Sequence, residues 1–587
     1  MGARVKWSAL LLIAVLALAA GFYRWPISSA LVAEETSVRL SQSLGLELRR
    51  PGRAQFNLFP VPTLHMVDVE VRGRNNATIL TAPAASARLA LFPLLSGRFE
   101  LAAATLLQPT ILLDLDSRPF ESSSAISTTI AARTADRDST PLGALEIHGG
   151  LLRIVSAADN FDTLVEDVEG ALDWPRLEDP LTVDLRARWR DEPLAIEARL
   201  GEPAALLKGL NSDGRLSVSS RLARIKLVGD FQSGGQNWFA GAVSADIASV
   251  AEIKRILGLP NPSALSDARI ALVAKAAAGW RMLTLSEVRL GLLEQEFEGA
   301  LAVTRASGRL SVSGTLAANE LKLWPLLANA PPLVDATGGW SGAVFDLRPL
   351  SAFDLDLRVS ASRVLWRGHP LTDAAIEVIN KDERLTATLV EASAYGGILK
   401  AELSVAPAPG GAAARASGSL ANADMGALFA DFGWAAYSGQ GGGQFAFEAA
   451  GDSPVALARA LRGKATIQLA SGVVDGLSFE EALRRSERRP IDVFNDMRVG
   501  RTVIKQAAAS LILDKGGDGI LNASLSGPGV SVSFNGSMDL VERQLSARAT
   551  ATQTDDKGVP TTKGPRLDFD LTGPWWAPTI KPSAAGG

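Results

Sequence analysis

The sequence predicts a mainly β protein, in which an N-terminal transmembrane helix is followed by a long curved antiparallel β-sheet, groove-like and repeat-derived, with a few short helices. Three observations carry this: an uncharged apolar segment close to the N-terminus, period-two alternation of apolar and polar residues from Leu46 onward, and Gly-containing turns between the alternating runs.

The helix comes first in the chain. After Arg4 and Lys6, residues 7–23 hold no charge and end at Arg24, Trp25 and Pro26. A span needs ~20 apolar residues and can manage with ~17, and Trp7, Tyr23 and Trp25 stand where interfacial aromatics anchor a helix. The basic residues precede the segment, so the expected topology is single-pass, with a cytoplasmic N-terminus and an exported body. Ala17-Leu18-Ala19 also fits a signal-peptide cleavage site, which is the competing reading. The apolar pattern runs on, however, into a helix-like stretch at 27–44 that a cleaved leader would leave unanchored, so residues 1–26 are read as an anchor.

The body alternates. Leu355, Leu357 and Val359 face one way against Asp354, Asp356 and Arg358; Leu385, Ala387 and Leu389 oppose Thr386 and Thr388; Leu310 and Val312 oppose Ser311 and Ser313. Turns at 306–308, 395–397 and 515–519 separate such runs at the spacing of an antiparallel meander. Residues 246–257, 319–327 and 422–432 interrupt the strands alike, each opening on Asp or Asn, a favoured N-cap, and passing into a short apolar helix, the mark of a loose internal repeat. The polar stretch 117–141 reads as a flexible linker. It divides an N-terminal module at 27–116 from a central β-rich region at 142–410, beyond which lies a C-terminal region at 411–587. If ~450 residues form ~30 strands at ~4.8 Å spacing, such a sheet reaches at most ~140 Å along its stacking direction.

Composition excludes several functions. At 587 residues the chain exceeds what one hydrophobic core organises, and 47% apolar against 21% charged residues is the balance of a folded protein. Lys plus Arg, 59, nearly match Asp plus Glu, 63, with no basic stripe, so nucleic acid is not an expected partner. The absence of cysteine removes disulfides, thiolate nucleophiles and thiolate metal sites. His65, His148 and His369 have no second His or carboxylate at metal-ligand spacing on a helix, and no metal or cofactor is expected. No Gly-x-Ser-x-Gly elbow is present, so no catalytic residue is assigned and the protein is expected not to be an enzyme.

Other candidates read as structure. The Gly-rich run 438–444 lacks the Lys-Ser/Thr ending of a phosphate loop and is expected to be a flexible turn. Asp354, Asp356, Asp568 and Asp570 alternate with Leu355, Leu357, Phe569 and Leu571, as a solvated strand face does. In the run 479–489, Arg484, Arg485, Arg488 and Arg489 could meet an anionic surface, but Glu480, Glu481 and Glu487 favour a solvated helix.

At the N-terminal end the anchor and the helix-like stretch after it are followed by Leu58-Phe59-Pro60 with residues 64–71, and then by the more specific residues 87–101 and 107–113. At the other end stand residues 439–451, 461–467, 471–476 and 568–578. In this order along one chain, these segments resemble the AsmA family of bacterial envelope proteins and its larger TamB-like relatives. The resemblance implies an inner-membrane protein that faces the periplasm of a Gram-negative bacterium and acts in outer-membrane biogenesis. Larger relatives are regarded as bridges carrying phospholipid along an apolar groove, and the family brings no catalytic residues.

That implication has a physical counterpart. An acyl chain in water costs ~0.8 kcal/mol per CH₂, on the order of 10 kcal/mol for about sixteen carbons, and a curled sheet with an unfilled apolar side would relieve most of it. The expected groove residues are Leu310, Val312, Leu355, Leu357, Val359, Leu385 and Leu389. Expected partners are phospholipid, the inner membrane and an outer-membrane or envelope protein. The alternative is a structural or chaperone-like factor whose strand edges bind outer-membrane proteins during assembly.

Overall fold

The computed structural model describes residues 21–583 apart from 28–46, 50–51, 73–77, 96–100, 115–142, 157–160, 177, 234–235, 253–267, 280, 307–308, 327–329, 337, 367–368, 432, 434–435, 487–499, 515, 556–560, 562–563 and 576. Strand makes up 71% and helix 9%, so the protein is mainly β. The transmembrane segment expected at 7–23 lies outside the described residues as far as residue 20, and among the described residues no helix is long and apolar enough to cross a membrane. The helix expected from Ile27 is corrected at its first residue, because ladder pairing with Ala54 holds Ile27 extended; residues 28–46 are not described.

The chain divides into two compact units, the first holding Met1–Asn261, Asp267–Leu292 and Ala302–Gly308, the second Pro262–Ser266, Leu293–Leu301 and Arg309–Gly587. The first begins with β1 (Trp25–Ile27), β2 (Glu47–Arg49), β3 (Arg53–Asn57), β4 (Thr63–Arg72), β5 (Thr78–Leu89), α1 (Leu91–Leu95), β6 (Leu101–Leu107) and β7 (Thr110–Asp114). It continues with β8 (Ala144–Ser156), β9 (Phe161–Asp173), β10 (Leu181–Trp189), β11 (Glu192–Leu200), α2 (Pro203–Leu207) and β12 (Asn211–Ser220). Then come β13 (Ala223–Gln232), β14 (Asn237–Ile247), β15 (Ile270–Gly279) and β16 (Met282–Leu292). From β8 to β16 each strand pairs antiparallel with the next. Strands β6 and β7 both run parallel to β8, so the strands flanking residues 115–142 share one sheet.

Strand β17 (Gln295–Ala306) is divided between the units after Leu301. The second unit then holds β18 (Arg309–Lys322), α3 (Leu323–Leu326), α4 (Pro349–Ala352), β19 (Phe353–Trp366), β20 (His369–Lys381), β21 (Arg384–Ala394), β22 (Gly397–Ala408) and β23 (Gly411–Asp424). Next are α5 (Met425–Asp431), β24 (Tyr437–Gly451), α6 (Pro454–Ala460), β25 (Arg462–Asp475), α7 (Phe479–Ser486), β26 (Arg501–Ile504) and β27 (Gln506–Leu513). The unit ends with β28 (Asp518–Gly527), β29 (Val530–Asp539), β30 (Gln544–Gln553), β31 (Arg566–Pro574) and β32 (Thr579–Pro582).

From β19 to β32 the ladder is antiparallel, with β26 and β27 sharing the place beside β25. Strands β18 and β19, however, run parallel, with Leu310 opposite Phe353 and Lys322 opposite Leu365. A hairpin cannot return a chain to the starting end of the strand it has just left, so a crossover spends residues 323–352 between them. The expected antiparallel sheet is therefore corrected to a mixed one.

Bulges bend the strands away from a flat ladder. Asp167, Glu287, Asp373 and Asn422 lie at positive φ where the register shifts, and each precedes a buried residue, Val168, Val288, Ala374 and Ala423 respectively. Such bulges increase the right-handed twist. In the second unit, moreover, the Trp340 indole donates to the Leu540 carbonyl (2.9 Å) in the β29–β30 turn, while the Ser341 carbonyl accepts from the Val455 N–H (3.0 Å) in α6. Both turns lie at the same end of the sheet, so the crossover bridges strands along that end.

The expected turn at 438–444 is corrected as well, because these residues open β24. Its glycines serve close approach: a Cβ at Gly441 would stand 2.5 Å from the Gln468 carbonyl oxygen and 2.9 Å from Met425 Cγ of α5.

Candidate functional site

Residues opposite one another in a β ladder point to the same face, so register converts single apolar residues into rows. In the second unit one row passes from Leu316 on β18 through Val359, Ile376, Leu389, Ala401 and Gly418 to Phe445 on β24. It continues through Ala465, Leu511, Leu521, Gly536, Ala547 and Leu571 to Ile580 on β32. No member is polar. The neighbouring row on the other face reads Arg358, Glu377, Thr388, Glu402 and Ser417 from β19 to β23.

The sequence-predicted groove residues converge on the apolar face. Leu310 and Val312 of β18 share it with Leu355, Leu357 and Val359 of β19, and Asn380 and Ile376 of β20 link these to Leu385 and Leu389 of β21. Ile376 and Val378 belong to the same surface but were not singled out from sequence. Their alternation is blurred by Ile379, an apolar residue on the polar side between Asp356 and Thr386.

A like row crosses the first unit. It runs from Trp25 through Phe56, Leu64, Ala87, Ala104 and Leu145 to Leu172 on β9. From there it passes through Val183, Ala198, Leu216, Leu227 and Val243 to Ala274 on β15. Its first member lies two residues beyond the apolar run 7–23.

Burial separates a sealed margin from an open middle. Phe479, Ala482 and Leu483 of α7 pack with Val474, Ile504, Val532, Ala549 and Phe569, closing the apolar face of the second unit beneath that helix. On its outer side Glu481 pairs with Arg484 and, at 2.6 Å, with Arg485, so the charged run is a solvated helix as far as Ser486; Arg488 and Arg489 lie outside the described residues. Away from the helix, Leu310, Leu403 and Phe445 remain 44%, 47% and 39% exposed. A second sheet packed on them would bury them, so the face is unsealed there.

The opposite face is held by cross-strand ion pairs, Arg358 with Glu377 (3.2 Å), Arg415 with Glu448 (3.4 Å) and Arg548 with Asp570 (3.1 Å). Asp354 meets Arg309 at 2.7 Å. Burial alone would raise the Asp568 carboxyl, but hydrogen bonds from Arg566 and Thr550 and the nearby arginine charges hold it below its ordinary value. A depression of about 670 Å³ crosses β21 to β25 and is lined by Thr388, Lys400, Glu402, Ser417, Gln444 and Lys464 of the polar side together with Leu389, Ala401, Gly418 and Phe445 of the apolar row, among others.

The histidines are strand residues. His65 Nε2 lies 3.1 Å from the Asn57 side-chain oxygen and His148 Nδ1 3.0 Å from Glu169, while His369 opens β20. Burial, with the charge of Arg24, pushes the His65 imidazole down. Among the described residues no three His, Asp or Glu side chains gather as metal ligands.

Against this geometry, the model of the AsmA family matches residues 335–518. The chain carries an AsmA-family region. The AsmA region takes in β19 to β27, with Leu355, Leu357, Val359, Leu385 and Leu389, and the sequence blocks 439–451 and 461–476. Leu310, Val312 and the resembling blocks at 58–113 and 568–578 lie outside the AsmA match. No curated protein and no solved structure matches the chain.

Proposed function

We propose that this protein acts in outer-membrane biogenesis as an inner-membrane-anchored periplasmic carrier, holding or conducting phospholipid along its apolar β face without catalysis. The observation that carries the reading is the unbroken apolar row from Leu316 to Phe445, unsealed away from α7 and with partly exposed members in and beside it. A continuous apolar floor lets an acyl chain shift from strand to strand without meeting water, at a saving of ~0.8 kcal/mol for each CH₂ kept covered. In the first unit the corresponding row starts at Trp25, where a lipid leaving a bilayer spanned by residues 7–23 would arrive. The AsmA region supports the envelope setting.

The edge-binding alternative has less support. The edge strands β1, β2 and β32 are only 3, 3 and 4 residues long, and β1 and β32 contain Pro26 and Pro582, features that blunt pairing with another chain. Photocrosslinking residues placed at Leu355, Leu357 and Val359 separate the two readings. Captured phospholipid is the expected result, and capture of an outer-membrane protein would favour the assembly factor. Mass spectrometry of the purified chain that finds no phospholipid overturns the carrier reading.

A further inference from the structure

The crossover between β18 and β19 does more than return the chain. Its stretch 338–352 is fastened at successive points along one end of the second unit's sheet. Trp340 donates to the Leu540 carbonyl at 2.9 Å, and Arg543 donates to the Gly338 carbonyl while its guanidinium lies 5.0 Å from the Trp340 ring centroid. Next, Ser341 accepts from the Val455 N–H at 3.0 Å and the Phe345 N–H donates to the Asp452 carbonyl at 2.9 Å. Last, Asn380 donates from its side-chain amide to the Leu350 (3.0 Å) and Phe353 (2.6 Å) carbonyls.

Asn380 shows what the segment covers. It stands on the apolar face between Leu355 and Leu385, it is 2% exposed, and its amide oxygen has no partner. A buried amide in an apolar row is costly unless it is bonded, and one of its N–H bonds goes to Leu350 of the crossover, the other to Phe353 at the start of β19. The segment therefore lies over one end of the face.

Its hold is polar and narrow. Val344 is 68% exposed, so between the fastenings the segment buries little apolar surface, and segments of that kind open locally at low cost.

We propose that residues 338–352 form a clasp, latched by Trp340 and Arg543, that gates entry of an acyl chain onto the apolar rows of the second unit. The gate rests on the phospholipid reading given above. Opening frees the end of the face beside Leu355 and Leu385, and closing returns the Asn380 amide to the Leu350 carbonyl.

The test uses the full chain in detergent, with Trp340→Ala and Arg543→Gln as separate variants. Amide hydrogen exchange at Phe345 and Val455 is measured beside uptake of a fluorescent phosphatidylethanolamine from vesicles of phosphatidylethanolamine and phosphatidylglycerol. Both variants are expected to raise exchange at these amides about tenfold, to leave Ala482 in α7 unchanged, and to speed uptake about threefold. Faster exchange with uptake at the wild-type rate overturns the gate while leaving the carrier intact. Unchanged exchange in both variants shows that the latch does not hold the clasp. Failure of the wild-type chain itself to take up lipid overturns the carrier reading, and the gate with it. Arg543→Gln keeps the indole and its hydrogen bond, so it remains informative should Trp340→Ala lower the melting temperature broadly.

Discussion

Gly418 on β23 lies beneath the ring of Phe445 on β24: a Cβ there would stand 2.8 Å from Phe445 Cε1 and 3.1 Å from the Lys400 carbonyl oxygen. The two residues are ladder partners in the middle of the apolar row, so the glycine makes room for the ring to lie over its neighbour. Gly418→Val must lift or turn the ring, and is expected to destabilise the protein by about 2 kcal/mol. Combining it with Phe445→Ala should recover part of that loss. Urea denaturation of both single variants and the double variant reads the coupling, and strict additivity would show that glycine and ring are independent.

A second prediction concerns the bulges. Glu287 has φ of 50°, and its carboxylate meets Lys275 at 2.6 Å across the strands. A β-branched side chain is poorly tolerated in the left-handed region, so Glu287→Val is expected to cost about 1–3 kcal/mol, whereas Glu287→Gly relieves the backbone and loses only an exposed ion pair. Melting curves should rank glycine at or near wild type and valine clearly below. Equal melting of the two variants would show that the bulge stores no backbone strain.

These bulges also mark where the sequence stops being legible. Alternation alone placed Leu310, Val312, Leu355, Leu357, Val359, Leu385 and Leu389 on one surface, because period two assigns faces whatever the partner strand. It could not reveal that β18 and β19 run parallel, since strand direction depends on where the crossover returns the chain, and residues 323–352 carry no signal for that. In the sequence, short helices after Asp or Asn suggest the repeat. A more widely shared device is an acidic or amide residue at positive φ before Val or Ala, as at Asp167, Glu287, Asp373 and Asn422, which sequence alone shows only as a one-residue slip in the pattern. Glycines at 439–443 were misread for a related reason: a turn and a strand pressed against a helix both ask for the same missing side chain.

The carrier reading predicts an asymmetry between the two faces. Leu357 lies on the apolar face, and Arg358 beside it points to the polar side and pairs with Glu377 at 3.2 Å. A carboxylate on the apolar face must stay hydrated, and it opposes an acyl chain at that strand. Leu357→Asp is expected to lower co-purified phospholipid about fivefold with little change in melting temperature, while Arg358→Asp, on a solvated face, leaves lipid content near wild type. Lipid quantified by mass spectrometry per mole of protein checks both. An equal loss in the two variants would assign the effect to folding rather than to the apolar face.

The last prediction uses pH. Tyr395 joins the β21–β22 turn to α5 through a 2.7 Å hydrogen bond from its hydroxyl to Asp431. Burial, then that hydrogen bond and the Asp431 charge, push its phenol from 10.0 up to about 12. A pKa raised by folding means that the folded state favours the protonated phenol, so the contribution is complete below pH 10 and is lost as pH rises through about 12. Below pH 10, Tyr395→Phe should therefore be less stable than wild type by about 1–2 kcal/mol, the worth of a hydrogen bond to a carboxylate. Between pH 10 and 12 the unfolded tyrosine ionises first, and the gap between the two proteins should close from the wild-type side. Denaturant midpoints measured across that interval decide the matter, because lysines and the other tyrosines titrate in both proteins and cancel in the difference. A gap that stays constant to pH 12 would show that the Tyr395 hydroxyl is not held by Asp431, and that α5 is fixed to the sheet by its apolar residues Met425, Leu428 and Phe429.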